Sequence, residues 1–268
     1  MLRNLARGVY EAYLERKLSA TEAPQHVAVV QDGNRRYARS KGDDPTEGHE
    51  AGAETTENVL DWAYEAGIEE LTLYAFSTEN FERDDDELER LFDIIAEKLN
   101  ELAESDEVHE RGVRVRGVGD IGRLPETVQE AVARVEDATR GYDDRRVNIA
   151  LAYGGREEVV EAARRLARDV EDGVVAPEDI DGAAVGSRLR LGSDVDLVVR
   201  TGGERRLSNF LPWQARGAEA DVYFCDSYWP GFERHEFLKA LVAYDGEGDR
   251  GEKAHRARAP VVAEEPAD

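Results

Sequence analysis

The stretch VAVVQDGNRR (27–36) runs four apolar residues into an acid, a glycine, an asparagine and two arginines. Asp32 offers a hard oxygen ligand of the kind that holds Mg²⁺ beside phosphates. Gly33 lets the backbone come close to a ligand, and a helix opening behind it aims free N–H groups at an anion. Arg36 adds a forked, charge-assisted contact. Far along the chain, Arg200, Arg206 and Ser208 form a second set of anion donors, with Gly202 and Gly203 easing the bend between them. Two separated anion sites, one beside a metal-binding acid, predict two phosphorylated substrates.

Positioning these residues is the work of six β-type runs: VAVV (27–30), LTLYAF (71–76), VRVRGVG (113–119), VNIALAY (147–153), VDLVVRT (195–201) and DVYFCD (221–226). Most are near-continuously apolar, the pattern of strands covered on both faces. Helical periodicity fills the gaps. Leu88, Leu91, Phe92, Ile95, Leu99 and Leu102 share a face behind Asp84 as N-cap. Pro125 opens a second helix with Val128, Val132 and Val135 inward, closed by Gly141. Val159, Ala163, Leu166 and Val170 make a third. The fold class is therefore α/β, a single domain with a six-stranded, mostly parallel central sheet flanked by helices. In such a sheet ligands gather at the carboxyl ends of the strands. Here those ends read Asp32–Arg36, Ser77–Asn80, Gly119–Asp120, Gly154–Arg156 and Arg200–Glu204, and they predict one shared rim.

Residues 1–24 form an amphipathic stretch with Leu2, Leu5, Val9, Tyr13, Leu14 and Leu18 on one side, expected to pack on the domain, with a peripheral membrane contact as the alternative. The globular part is expected over 25–243 and a disordered acidic tail over 244–268. With 59 acidic against 35 basic residues the net charge is −24, which argues against a nucleic-acid partner. Cys225 is the only cysteine, so there is no internal disulfide, and its apolar run predicts a small buried residue. No apolar run approaches the roughly 18 residues of a membrane span, and the N-terminus lacks the apolar core of a signal peptide. A soluble, cytoplasmic protein is expected. The histidines show no metal-ligand spacing; His49 stands out because GHEAG opens a helix close to the first loop. There is no P-loop and no G-x-G-x-x-G.

HVAVVQDGNRRYARSKG, LTLYAFSTENF, VNIALAYGGREEVVEAARRL, DLVVRTGGERRLSNFLPWQ and YFCDSYWPGF together resemble the cis-prenyltransferases, the undecaprenyl or dehydrodolichyl diphosphate synthase family, with the archaeal branch nearest. The similarity runs in order from about His26 to about Leu241. It implies that isopentenyl diphosphate is condensed onto an allylic diphosphate, farnesyl or geranylgeranyl, in a Mg²⁺-dependent homodimer. The product would be a long-chain cis-polyprenyl diphosphate, precursor of a lipid glycan carrier.

Carried over by position, Asp32 is the Mg²⁺-associated acid, and Gly33, Asn34, Arg35 and Arg36 cradle the allylic diphosphate with His49 assisting. Ser77, Asn80 and Arg83 position the reacting ends, Phe76 and Phe81 shape the pocket, and Arg200, Arg206 and Ser208 hold isopentenyl diphosphate. Asp32, Asn34 and Asn80 are the implied catalytic residues. Glu219, favoured over Asp221, is the implied second metal acid. The apolar face of 88–102 suits a hydrocarbon tunnel. Two departures stand out: the acidic run Asp43–Glu47 where relatives often carry an arginine, and Arg205 where bacterial relatives have histidine. A non-catalytic supporting subunit would lack the Asp-Gly-Asn cradle. An all-helical trans-prenyltransferase would need an aspartate where Leu88 stands.

Overall fold

The computed structural model describes residues 2–20, 23–215 and 220–244. Strands β1 (His26–Val30), β2 (Glu70–Tyr74), β3 (Val113–Val118), β4 (Arg145–Ala150), β5 (Leu197–Arg200) and β6 (Asp221–Phe224) form one sheet in the order β3-β4-β2-β1-β5-β6. Every pairing is parallel, more uniform than the mostly parallel sheet expected. The apolar runs are explained by two cores. In β1, Val27 and Val29 face a core that includes Leu73 and Leu99, while Ala28 and Val30 face another built around Phe210 and Leu211.

The order of strands fixes where a ligand goes. From β1 the chain crosses to β2 on one side, while β5 returns to pair on the other. The two connections diverge at the carboxyl end of β1 and leave a crevice there. Asp32 stands at that point.

The described helices are α1 (Leu2–Leu18), α2 (Asn34–Lys41), α3 (Pro45–Glu65), α4 (Asp85–Glu104), α5 (Asp106–Glu110), α6 (Glu126–Thr139), α7 (Gly155–Glu171), α8 (Gly182–Gly186) and α9 (Arg234–Ala243). In α4 the buried residues are Leu91, Phe92, Ile95, Leu99 and Ala103; of the expected face, Leu88 and Leu102 are only half-buried. Asp84 precedes it without a side-chain capping bond; Asp85, Asp86 and Glu87 fill the first turn, where the helix dipole favours acids. The acidic run at 43–47 leads into α3. Asp44 caps α3 by accepting the Thr46 N–H (3.0 Å), and Pro45 occupies the first turn.

Two amphipathic faces differ from expectation. Helix α7 buries Glu158, Ala162 and Leu166, and Ala163 is exposed, because a buried glutamate takes the place an apolar reading gives to its neighbour. In α1, Leu14 and Leu18 are buried whereas Val9 and Tyr13 are exposed; its partner is α9. The side chains of Leu2 and Leu5, and residues 245–268 of the expected tail, lie outside the described part. Among the described residues no helix is long and apolar enough to cross a membrane. Cys225 is buried, and burial pushes its thiol up to about 11.

His26 anchors the amino end of the sheet. Its Nδ1–H donates to the Asp194 carbonyl (2.7 Å), so Nε2 accepts from the Thr72 hydroxyl (2.8 Å). Asn148 joins by donating to Thr72 (3.1 Å) and Glu70 (2.7 Å). Burial holds the His26 imidazole below the ordinary histidine value, and His49 is lowered for the same leading reason. The unfolded chain therefore takes up these protons first. Stability is level above about pH 6.5 and falls below it, by up to about 1.4 kcal/mol per pH unit per histidine. Thermal unfolding between pH 8 and 5 checks this, and a flat midpoint from pH 7 to 5 would refute it.

Candidate active site

The turn after β1 is clamped from both sides. Thr201, following β5, accepts the Asp32 N–H (3.0 Å) through Oγ1 and donates back to the Asp32 carbonyl (2.9 Å). Trp229 N–H donates to that same carbonyl (3.0 Å). Gly33 has φ +112°, and a Cβ there would lie 2.8 Å from the Tyr228 ring, so conformation and space both demand glycine. Helix α2 then opens with no side-chain cap on its first N–H groups, leaving them available to an anion.

Asp32 joins the two groups of arginines that the sequence analysis expected to bind anions. One carboxylate oxygen receives Arg36 Nη2 (2.9 Å) and the other Arg200 Nη2 (2.8 Å). Arg36 also donates to the Gly202 carbonyl (2.8 Å). The Arg200 side chain is only 5% exposed; it donates to the Arg206 carbonyl (2.6 Å) and Ser208 Oγ (2.9 Å), while its buried Nε has no partner. Arg206 pairs with Glu204 (2.5 Å), and Glu204 also lies 3.7 Å from Arg36. Asn34 carries a second orphan: its buried Oδ1 is unpartnered, pressed beneath Gly52.

A third group assembles across the mouth. The carbonyl oxygen of the Asn80 side chain accepts the Ser77 N–H (2.9 Å) in a reciprocal cap of the short 3₁₀ turn Thr78–Glu82. Phe81 meets Phe76 edge-on at 4.9 Å. Arg83, His49 and Arg35 converge on Glu87, at 3.1, 3.2 and 3.6 Å from its Oε1. Burial lowers the His49 imidazole most, and Arg83 and Arg35 lower it further against the Glu87 hydrogen bond that raises it.

Not every expected residue joins this rim. Glu219 lies outside the described residues. Asp221 opens β6 opposite Leu197, whereas Arg200 pairs with Phe224, so Asp221 stands three residues down the strand. At about 3.3 Å per residue that is roughly 10 Å from the carboxyl edge. The β3 and β4 ends serve support instead. A Cβ on Gly119 would sit 1.8 Å from the Leu151 carbonyl, and Gly155 N–H donates to the Asn209 carbonyl (2.8 Å). Glu87 and the role of Gly52 were not anticipated, and Glu204 was placed on the rim without its arginine partners. Glu87 lies four residues after Arg83, a helical pairing distance that is legible in sequence.

From this rim a cavity of about 660 Å³ runs between the sheet and helices α3 and α4. Leu73, Leu91, Ile95, Leu99 and Ile149 line its length, as the apolar face of α4 led one to expect. At its far end Tyr64 lies between two guanidinium groups, Arg111 at 4.4 Å and Arg145 at 4.6 Å. A smaller polar cavity of about 320 Å³ adjoins the rim, walled by Gly33, Arg35, Arg36, Arg39, His49 and Arg83.

A parallel α/β sheet whose switch point carries two arginine clusters above a long apolar cavity suits molecules with a charged head and a hydrocarbon tail. Residues 30–251 match the family described as "Putative undecaprenyl diphosphate synthase". The chain is 52% identical over 262 residues to the tritrans,polycis-undecaprenyl-diphosphate synthase (geranylgeranyl-diphosphate specific) of Halobacterium salinarum, covering 96% of this chain and 86% of that one. The synthase of the same name from Haloarcula marismortui is 48% identical over 265 residues, covering 97% and 86%. Among solved structures, lavandulyl diphosphate synthase from Lavandula x intermedia, in complex with dimethylallyl diphosphate, is similar with a TM-score of 0.77 and 35% identity, covering 83% of this chain and 95% of that one. The chain belongs to the undecaprenyl diphosphate synthase family; it is a cis-prenyltransferase.

Proposed function

We propose that the chain condenses isopentenyl diphosphate repeatedly onto an allylic diphosphate to make a long-chain cis-polyprenyl diphosphate, used as precursor of a lipid glycan carrier. The observation that carries this is the joining of two anion sites through one carboxylate, Asp32, directly above an apolar cavity. Geranylgeranyl diphosphate is the favoured starter over farnesyl, since the archaeal relatives are named for it.

In this reading Gly33, Asn34, Arg35 and Arg36 hold the allylic diphosphate, and Arg200, Arg206 and Ser208 hold isopentenyl diphosphate. The allylic C–O bond breaks, the double bond of isopentenyl diphosphate attacks that carbon, and a proton is lost to leave a new cis double bond. Arginines set in advance around the departing pyrophosphate stabilise its growing charge. His49 and Asn34 lie on that side; Ser77, Asn80 and Arg83 orient the reacting ends beside Phe81. The orphan Arg200 Nε and Asn34 Oδ1 are the polar atoms a ligand would satisfy. The lengthening chain occupies the apolar cavity.

Mg²⁺ fits this site in one way. Among the described residues no three acidic, histidine or cysteine side chains converge to cage a metal. One carboxylate combined with substrate phosphate oxygens and water is the usual Mg²⁺ arrangement, and Asp32 suits it, with Glu219 as the second candidate. The ion would neutralise phosphate charge as the bond breaks. A homodimer completes the reading, with α1 packed on α9 and a peripheral membrane contact as the alternative.

The test is incorporation of radiolabelled isopentenyl diphosphate with Mg²⁺, using farnesyl or geranylgeranyl diphosphate, at low and multimolar salt. Long butanol-extractable products made faster from geranylgeranyl diphosphate support the reading. No incorporation by folded protein at any salt overturns it in favour of a supporting subunit.

A further inference from the structure

We propose that Glu87 is a positioning residue for the allylic-diphosphate site, aiming Arg35, Arg83 and His49 at the departing pyrophosphate. The inference rests on the functional reading above.

The geometry is unusual for an acid at the edge of an anion pocket. Glu87 is only 10% exposed, and one of its oxygens receives all three groups: Arg83 Nη1 (3.1 Å), His49 Nε2 (3.2 Å) and Arg35 Nε (3.6 Å). Those groups come from three places: α2, α3 and the turn before α4. A single carboxylate therefore ties together the walls of the smaller polar cavity. Arg83 Nη1 also lies 3.3 Å from His49 Nε2, but a guanidinium only donates, and Nε2 cannot accept from it while giving its proton to Glu87. The charge-assisted bond to the carboxylate decides the matter, so Nε2 carries the proton.

Each guanidinium keeps most of its five N–H groups for a phosphate, since of the two Glu87 accepts a hydrogen bond from Arg83 alone and meets Arg35 as an ion pair at 3.6 Å. The acid thus fixes direction without exhausting the donors. Its charge also opposes an incoming anion, and this makes the role testable: a neutral residue here binds anions no more weakly but aims the cations badly. Supporting partners of this kind are typically worth about 10–100-fold in activity.

The experiment compares the full-length chain with Glu87→Gln, Glu87→Asp and Glu89→Gln, the last an equal charge change at an exposed position of the same helix. Steady-state kcat and KM for both substrates are measured, with the equilibrium Kd for inorganic pyrophosphate and the unfolding midpoint. The expected result for Glu87→Gln is a kcat lower by about 10–100-fold, with pyrophosphate Kd and allylic KM unchanged or tighter. Glu87→Asp, which keeps the charge, retains more kcat than Glu87→Gln, and Glu89→Gln matches the parent. The proposal is overturned if Glu87→Gln keeps kcat within about twofold of the parent. It is also overturned if kcat, pyrophosphate affinity and unfolding midpoint fall together, or if Glu87→Asp is the more damaged variant. A parent chain that incorporates nothing defeats the functional reading instead.

Discussion

Asp32→Asn is expected to lower kcat by about 10²–10³-fold, the scale found when one preorganised electrostatic group is removed from an active site. The substitution keeps the shape and removes the charge. In the parent, the carboxylate stands between Arg36 (2.9 Å) and Arg200 (2.8 Å). An amide can offer one of them its oxygen, but it turns an NH₂ group toward the other, and that guanidinium loses its anion. The two proposed substrate sites share this acid, so both are disturbed at once. The proposed oxygen ligand for Mg²⁺ goes with it. The fold should survive, because Arg200 retains the Arg206 carbonyl and Ser208 hydroxyl. Turnover measured beside thermal unfolding distinguishes the effects; activity within tenfold of the parent would contradict the assigned role.

Gly52→Ala is the second substitution with a large expected effect, and its sign runs against helix propensity. Alanine inside a helix is favoured over glycine by about 1 kcal/mol. Here the added methyl would lie 2.5 Å from Asn34 Oδ1 and 3.1 Å from Trp229 Cδ1. Neither neighbour is free to retreat: the Trp229 Nε1–H donates to the Gly52 carbonyl (2.8 Å), and Asn34 opens α2 directly after the clamped turn. Overpacking of this kind costs about 1–3 kcal/mol. The variant should therefore unfold earlier and lose at least about tenfold in kcat, as misplacement of a positioned group by an ångström can cost far more. Gly8→Ala is the matched comparison, since nothing lies within 4 Å of the new methyl in α1. It should stabilise by up to about 1 kcal/mol. Equal stability changes at the two sites would refute the packing argument.

β1 and β5 were legible because burial on both faces keeps them almost wholly apolar, whereas β3 and β6, at the two edges of the sheet, are only partly buried. The rim followed, since the carboxyl ends of parallel strands must lie together. What sequence could not supply was the pairing of charges. The types of Arg35, Arg36, Arg83, Arg200 and Arg206 suggest anion binding, yet their carboxylate partners are set by topology. Only Arg83 with Glu87, Arg36 with Asp32 and Arg206 with Glu204 are near enough in the chain to be guessed. The two ends assigned to the rim but used for packing, at Gly119 and Gly155, carry the same glycine-rich composition for a different reason: close backbone approach. The α7 face was misjudged because Glu158 is buried by accepting bonds from the Tyr153 hydroxyl (2.6 Å) and the Arg190 N–H (2.8 Å). A hydropathy pattern scores such a residue as exposed.

The ion pairs along the rim change what binding means for this chain. Arg36 and Arg200 already hold Asp32, Arg35 and Arg83 hold Glu87, and Arg206 holds Glu204. A diphosphate arriving here meets cations whose charge is already partly balanced by these carboxylates, so it displaces few bulk counterions. These pairs are also far shorter than the Debye length of about 8 Å at physiological salt. The long-range field is another matter. A net charge of −24 repels an anionic substrate at a distance, and dissolved salt screens that repulsion first. Ionic strength should therefore quicken arrival while scarcely loosening the grip.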